Sequence, residues 1–101
     1  MPDDNSVPQI GMGATELVGS DRYPFTVIAV SPSGKTAKIQ ADEAIRLDNR
    51  GIYTESQDYR YERDLGGRVH TIRRYADGKW YRSYRIPVIL GHRDMYRDPH
   101  F

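Results

Sequence analysis

The sequence predicts an all-β domain: a small curled barrel or meander of about five or six short strands, SH3-like in architecture. Phe25 to Val30 is rich in β-branched residues and bounded by Pro24 and Pro32, which is typical of a strand. Asp77-Gly78 stands between two alternating segments and indicates a hairpin. With 101 residues and 38% hydrophobic content, the chain can build one thin core, and closure into a barrel would remove open sheet edges.

The first half of the chain divides into segments separated by turns. Residues 1–9 are predicted to form a flexible tail ahead of a single β-domain over residues 10–101. Residues 10–20 contain three glycines and are expected to form a strand after a tight turn. Ser31-Pro32-Ser33-Gly34 has the residues of a turn. Residues 35–47 alternate but also contain good helix formers, and we favour a strand because such a turn most simply makes a hairpin.

The second half contains the remaining predicted strands. Asp48 to Gly51 is a predicted turn. Residues 57–63 alternate two tyrosines with charged side chains, as a half-exposed strand does. Residues 68–75 and 79–90 flank the Asp-Gly turn and form the predicted hairpin.

The turn at Asp77-Gly78 predicts the register of this hairpin, because the length of a hairpin loop sets which residues lie opposite one another. A two-residue loop places Arg73 opposite Arg82 and Tyr75 opposite Trp80. The face that these pairs share also carries Thr71, Tyr84, Val69 and Ile86.

The pairing of Arg73 with Arg82 needs an explanation, since like charges directly opposite one another destabilise a sheet. One explanation is a neutralising acid from the neighbouring strand, with Glu62 or Asp58 as candidates. The other is an anionic ligand held between the two guanidinium groups and flanked by aromatic rings. The sequence leaves both explanations open.

Charge and aromatic side chains are unevenly distributed along the chain. The net charge is +1, yet residues 1–58 carry five basic and nine acidic side chains, whereas residues 59–101 carry ten basic and five acidic ones. Eight of the eleven aromatic residues lie in the same basic half. Arginine binds phosphate and carboxylate groups through two parallel hydrogen bonds and stacks on aromatic rings. An equal alternative is that these arginines pair with acidic side chains across a solvated sheet.

Several function classes are disfavoured. The absence of cysteine excludes disulfides, thiolate metal sites and cysteine nucleophiles. Ser33-Gly34-Lys35-Thr36 imitates part of a phosphate-binding loop, but Ala29 stands where that motif needs glycine. His92, Asp94, Asp98 and His100 match no metal-site spacing, so we expect no metal, no cofactor and no enzymatic activity. Neither a signal peptide nor a long apolar segment is evident, so a cytoplasmic location is expected.

Two segments carry a resemblance to a known group of proteins. Residues 11–27, with the pattern GxGAT…GSDRYPxTV, resemble the first part of short uncharacterised proteins encoded by bacteriophages and prophages. Residues 90–101 are similar to the C-terminal end of those proteins. The resemblance implies phage origin and expression in the cytoplasm of a bacterial host, and it implies no known activity. Small phage proteins of this kind are often accessory factors that antagonise host defence, which is an association only.

These observations predict a non-catalytic accessory protein that binds an anionic ligand through arginine and tyrosine side chains. A nucleotide signal of host immunity fits the residue types, because phosphate needs charged donors and a base needs a stacking surface. Two alternatives are a module that blocks a host or phage protein through the same side chains, and single-stranded nucleic-acid binding. The near-zero net charge disfavours generic nucleic-acid binding, and a homo-oligomer is compatible with the thin core. The candidate ligand-binding residues are Arg73, Arg82, Tyr75, Trp80, Tyr84, Arg22, Tyr23 and Arg93.

Overall fold

The structure, a computed structural model, describes residues 7–47 and 59–96. These residues form eight β-strands and one short 3-10 turn. The strands are β1 (Gly13–Val18), β2 (Asp21–Val30), β3 (Thr36–Ala41), β4 (Glu43–Arg46), β5 (Tyr59–Glu62), β6 (Val69–Arg74), β7 (Trp80–Arg82) and β8 (Ile86–Leu90), and the 3-10 turn is Ser83–Arg85.

Six of the strands in the described residues close into an antiparallel barrel in the order β1-β2-β3-β6-β7-β8. β1 completes the ring by pairing with both β2 and β8. β4 and β5 form a separate two-stranded pair. The prediction of an all-β, SH3-like barrel is therefore confirmed, and closure leaves no free edge on the six strands.

The ambiguous segment after the first hairpin consists of strands rather than a helix. β3 and β4 both lie within residues 35–47 and are separated by Asp42. The predicted turn before β3 is present, and the Gly34 backbone N–H donates to the Ser31 carbonyl at 2.9 Å. Gly34 has φ +73°, a conformation that glycine adopts without strain.

Three predictions on the chain's organisation involve residues that the structure does not describe. The predicted turn at Asp48 to Gly51 lies outside the described residues. The same holds for residues 1–6 of the predicted tail, while the Pro8 side chain within that tail is fully buried. The strand predicted over residues 57–63 is described from Tyr59, where β5 begins.

The hairpin between β6 and β7 has a different register from the predicted one. Its loop is three residues long, because the Gly78 N–H donates to the Tyr75 carbonyl and the Tyr75 N–H donates to the Lys79 carbonyl, each at 2.9 Å. Gly78 at φ +81° completes the turn, as glycine does in three-residue hairpin loops. Arg73 consequently pairs with Tyr81 rather than with Arg82. The predicted pairs Arg73–Arg82 and Tyr75–Trp80 are wrong.

The predicted strand over residues 79–90 is also interrupted. The Ser83–Arg85 turn separates β7 from β8, and β8 folds back to pair with β7. Tyr84 at φ 63° and Arg85 at φ 55° both adopt left-handed backbone conformations. Each such residue costs roughly 1–2 kcal/mol relative to ordinary backbone, so the surrounding strands hold this turn in place.

The core fills the barrel interior with small and branched side chains. Opposed residues of neighbouring strands point the same way, so the pairs Ala14–Phe25 and Val27–Ile39 both face inward. No helix among the described residues is long and apolar enough to cross a membrane. The buried core comprises Ala14, Phe25, Val27, Ala37, Ile39, Ile72, Trp80 and Val88.

Two adjacent glycines before β6, Gly66 and Gly67, differ in how closely other atoms approach them. A Cβ atom on Gly67 would overlap the Ala41 carbonyl oxygen, whereas a Cβ on Gly66 would have Asp64 Oδ1 as its nearest neighbour at 3.7 Å. Gly67→Ala should therefore lower the free energy of unfolding by about 1–3 kcal/mol through overpacking. Urea denaturation measures this change, with Gly66→Ala as the matched control that stays near wild type. Equal midpoints for the two variants would contradict the packing at Gly67.

Candidate functional site

The outer side of β3, β6 and β7 carries charged and aromatic side chains close together. Lys38 lies opposite Thr71, and Arg73 lies opposite Tyr81. Because opposed residues share a face and residues two apart along a strand do too, all four side chains point outward. Tyr75 and Arg85 adjoin Tyr81 at the end of this surface. We name this surface the basic-aromatic face, and its residues are Lys38, Thr71, Arg73, Tyr75, Tyr81 and Arg85.

Arg85 is held over two tyrosine rings. Its guanidinium carbon lies 4.8 Å from the ring centre of Tyr75 and 5.0 Å from that of Tyr81. The two rings meet edge to face with centres 4.8 Å apart. Cation–π contact of this kind orients a guanidinium group while leaving its N–H donors available. Arg85 is therefore an exposed cation that is held in a defined position beside two aromatic rings.

Asp77 fixes the end of the hairpin next to these tyrosines. The Tyr81 hydroxyl donates to Asp77 Oδ2 at 2.8 Å, and the Lys79 backbone N–H donates to Asp77 Oδ1 at 2.9 Å. The Lys79 N–H, followed by the Tyr81 hydroxyl, holds the pKa of Asp77 below its ordinary value, because both bonds favour the ionised carboxylate. Asp77 thereby holds Tyr81 in place against Tyr75.

Two cations of the face have no acidic neighbour. Among the described residues, neither Lys38 nor Arg73 has a carboxylate within ion-pair distance. Both side chains are exposed. Their positive charges are thus available to an anionic ligand.

Tyr84 places an aromatic ring in solvent beside Arg85 in the sequence. Its side chain and backbone together are 93% exposed, the highest value among the exposed large hydrophobic residues. Its left-handed backbone conformation is an unfavourable one for tyrosine. Strained backbone with no packing benefit is characteristic of functional positions, so Tyr84 is retained as a candidate.

Arg82 has a different role from the predicted one. Its Nε donates to Glu16 Oε2 at 2.8 Å, and its Nη2 donates to Glu16 Oε1 at 3.3 Å. The Glu16 side chain is only 3% exposed. The predicted like-charge pair is absent, so neither of its two explanations is needed, and Arg82 is paired with Glu16 rather than with Glu62 or Asp58. Glu62 instead pairs with Arg60 at 3.1 Å, and Asp58 lies outside the described residues.

His70 completes this buried group. Its Nδ1 lies 2.9 Å from Glu16 Oε2, and its ring packs against Phe25 with centres 5.3 Å apart. Because a carboxylate only accepts hydrogen bonds, His70 Nδ1 carries the proton that joins them. Glu16, His70 and Arg82 come from β1, β6 and β7, so the group ties three strands together inside the barrel.

Trp80 is a core residue and offers no stacking surface. It is 4% exposed and lies opposite Val88 of β8, on the inner side of the barrel. The observed register turns Trp80 inward and its neighbour Tyr81 outward. Tyr81 therefore takes the position in the site that the sequence analysis assigned to Trp80.

Arg93 fastens the segment after β8 to the barrel. Its Nε donates to Asp42 Oδ2 at 2.9 Å, and its Nη2 donates to Thr26 Oγ1 at 2.9 Å. The Asp42 side chain is 1% exposed, so this ion pair is largely withdrawn from water. Gly13 makes room for it, because a Cβ there would lie 2.9 Å from Arg93 Cγ. Arg93 is consequently a structural residue in this arrangement.

Arg22 and Tyr23 lie on β2, two strands away from β6 in the barrel. Arg22 Nη1 donates to Asp94 Oδ2 at 2.9 Å, beside a cleft of about 380 Å³. The Tyr23 hydroxyl donates to Asp21 Oδ2 at 3.1 Å. The structure does not bring these two residues or Arg93 together with Arg73.

A second cleft, of about 350 Å³, lies between the barrel and the β4–β5 pair. Arg63 and Arg93 both approach Asp42 there, at 3.5 Å and 2.9 Å. Tyr61 also lines it, and burial, followed by the negative charge of Asp94, raises the pKa of the Tyr61 hydroxyl above its ordinary value. Its cations face a buried carboxylate, so this cleft is less suited to an anion than the basic-aromatic face.

No metal centre is found within the part of the chain that the structure describes, where no group of three or more histidine or acidic side chains is placed to hold an ion. Of the four residues considered for one, Asp98 and His100 lie outside that part. Comparisons of the chain with family models, curated proteins and solved structures each give no match. The interpretation of function therefore depends on the geometry of the described residues.

The contrast between Arg82 and Arg73 gives a test of this assignment. Arg82→Gln leaves the buried Glu16 carboxylate without its main partner and should lower the free energy of unfolding by about 3 kcal/mol. Arg73→Gln, on the exposed face, should change it by no more than about 0.5 kcal/mol. Urea denaturation of both variants measures the difference. If Arg82→Gln is as stable as wild type, the pairing with Glu16 is not structural.

Proposed function

We propose that the protein is a non-catalytic binding module for a nucleotide-bearing anion, which it holds on the basic-aromatic face. The observation that carries the proposal is the position of Arg85, whose guanidinium carbon lies about 5 Å from the ring centres of both Tyr75 and Tyr81, on the same surface as Arg73. Positive charge and aromatic rings on one surface match the two parts of a nucleotide, which are an anionic phosphate and a flat base.

The cations supply the phosphate contacts. Arg73 has no acidic neighbour among the described residues, so its guanidinium can offer two parallel N–H donors to phosphate oxygens. Lys38, on the adjacent strand, adds a second positive charge. An anion can bind here without breaking an existing ion pair. Binding at Arg82, Arg22 or Arg93 would first have to break one.

The aromatic side chains and Arg85 supply the base contacts. Bases stack on tyrosine rings and also on the flat face of an arginine guanidinium. Arg85 is exposed and already held beside Tyr75 and Tyr81, so a base could stack against its guanidinium at this end of the surface. Tyr84 adds a ring that is almost wholly exposed.

The resemblance to phage proteins suggests where the ligand comes from, namely the bacterial host. A nucleotide signal of host immunity is one ligand of this chemistry, in a phage protein that acts against host defence. The chemical part of the proposal, phosphate on Arg73 and base on the aromatic rings, can be tested independently of that origin.

A protein-binding role for the same surface is the alternative. Tyrosine and arginine dominate the energetics of protein interfaces, and Tyr84 protrudes into solvent on strained backbone. Such an inhibitor would use the same residues to bind a host or phage protein. It would show no affinity for nucleotides, which separates the two functions.

Isothermal titration calorimetry with AMP, ATP and inorganic phosphate tests the nucleotide proposal. Arg73→Gln should weaken all three ligands, by about tenfold or more, for the loss of charge-assisted hydrogen bonds. Tyr84→Leu should weaken the two nucleotides but spare inorganic phosphate, because only a base stacks. Arg22→Gln is the control, since that arginine lies two strands away and pairs with Asp94.

Two results would contradict the proposal. Wild-type protein that binds no nucleotide excludes it and leaves the protein-binding alternative. Binding that Arg22→Gln weakens as much as Arg73→Gln does would place the ligand on another surface.

A further inference from the structure

We infer that the ligand of the basic-aromatic face is single-stranded nucleic acid, which contacts the face through at least two successive nucleotides. This inference rests on the proposed function and adds the class of ligand. Three observations support it: the spread of the cations, the open shape of the surface, and the orientation of the stacking groups.

The cations are spread across three neighbouring elements rather than gathered around one point. Lys38 is on β3, Arg73 on β6, and Arg85 follows β7. Lys38 lies opposite Thr71, two residues from Arg73, so the two cations are diagonal neighbours on adjacent strands. Proteins that bind single strands use positive charge that follows the strand's backbone, so cations spread over three elements suit several phosphates better than a single one.

The surface is open to solvent, because five of its six residues are exposed and Tyr81 is half-buried. The two clefts described above, of about 380 and 350 Å³, are lined by other residues, and none of the six residues of the basic-aromatic face lines either one. A small ligand is normally held by a pocket that covers about 70–90% of its surface. An extended strand instead gains affinity from repeated shallow contacts, with charge along its backbone and rings beneath its bases.

The stacking groups favour unpaired bases. Tyr84 is 93% exposed and Tyr75 is 36% exposed, and the exposed Arg85 guanidinium lies beside the rings of Tyr75 and Tyr81. These groups present flat faces rather than an element shaped to enter a groove. Bases inside a duplex are already stacked on one another, so a flat platform is useful only to bases that are free.

The near-zero net charge of the chain does not oppose this inference, because the charges are segregated. Glu16, Asp42 and Asp94 are neutralised by Arg82, Arg93 and Arg22, inside the barrel or on its other side. The basic-aromatic face has three cations and one adjoining acid, Asp77, which is bonded to Tyr81. Local rather than total charge determines attraction to a phosphate backbone.

Fluorescence anisotropy with a labelled oligothymidylate of about 12 nucleotides tests the inference, a length within the range that small β-barrels bind. After correction for the number of binding registers, the oligonucleotide should bind at least tenfold more tightly than thymidine monophosphate does by calorimetry. Between about 50 and 200 mM salt, the logarithm of affinity should fall with the logarithm of salt with a slope of about −2, for three cations. Arg73→Gln should make the slope shallower by about 0.7, and Arg22→Gln should leave it unchanged.

The other outcomes separate the two proposals. If thymidine monophosphate binds as tightly as the oligonucleotide, the strand inference is wrong and the nucleotide-binding function stands. If a duplex of the same length binds as tightly as the single strand, the preference for unpaired bases is wrong. If neither nucleotide nor oligonucleotide binds, both proposals fail. Thermal melts of Arg73→Gln and Arg22→Gln confirm that each variant is folded before its binding is compared.

Discussion

The three-residue turn of the β6–β7 hairpin determines which side chains of these strands meet solvent. The hydrogen bonds of Tyr75 with Gly78 and Lys79 set the register, and the side-chain period of two then sends Trp80 inward and Tyr81 outward. A slip of one residue would exchange those faces and expose the largest side chain of the core. The surface that carries the proposed function and the core that stabilises the barrel therefore depend on the same few backbone bonds.

The second constraint is the burial of the Glu16 carboxylate inside the barrel. Glu16 can be buried only because Arg82 and His70 reach it from two other strands, which satisfies the carboxylate through three hydrogen-bond contacts. A similar arrangement holds Asp42, which Arg93 and Thr26 both contact. These two carboxylates engage three arginines, Arg82, Arg93 and Arg63, which are then less available to a ligand. The arginines that remain exposed, such as Arg73, are thus distinguished from the others by geometry rather than by sequence.

Residue patterns within short segments predicted the class of fold, whereas contacts between residues far apart in the sequence were not predicted. The β-branched segment around Phe25 and the turn ending at Gly34 specify strands and a hairpin through nearby residues alone, so they were predictable. The register was not, because Asp-Gly occurs in hairpin loops of two and of three residues. Glu16 was missed because its partners are 54 and 66 positions away, and nothing in its own segment marks it as buried. Arg73, Tyr75 and Tyr84 stayed in the candidate site, while Tyr81 and Arg85 entered it only once the register was known.

The barrel is closed by pairing between its first and last strands, which has a consequence for how it folds. β1 can pair with β2 early, because the two strands are adjacent in sequence. The other edge of β1 stays unpaired until β8 has been added. Residues beyond β8 then bond to the first strands, as the Gly91 N–H does to the Gly13 carbonyl at 2.7 Å. Contacts between such distant residues are entropically expensive to form and slow the search for the native state. During synthesis, a nascent chain lacking β8 would expose the open edges of β1 and β7, so it would reach its protected state only after that strand emerges from the ribosome.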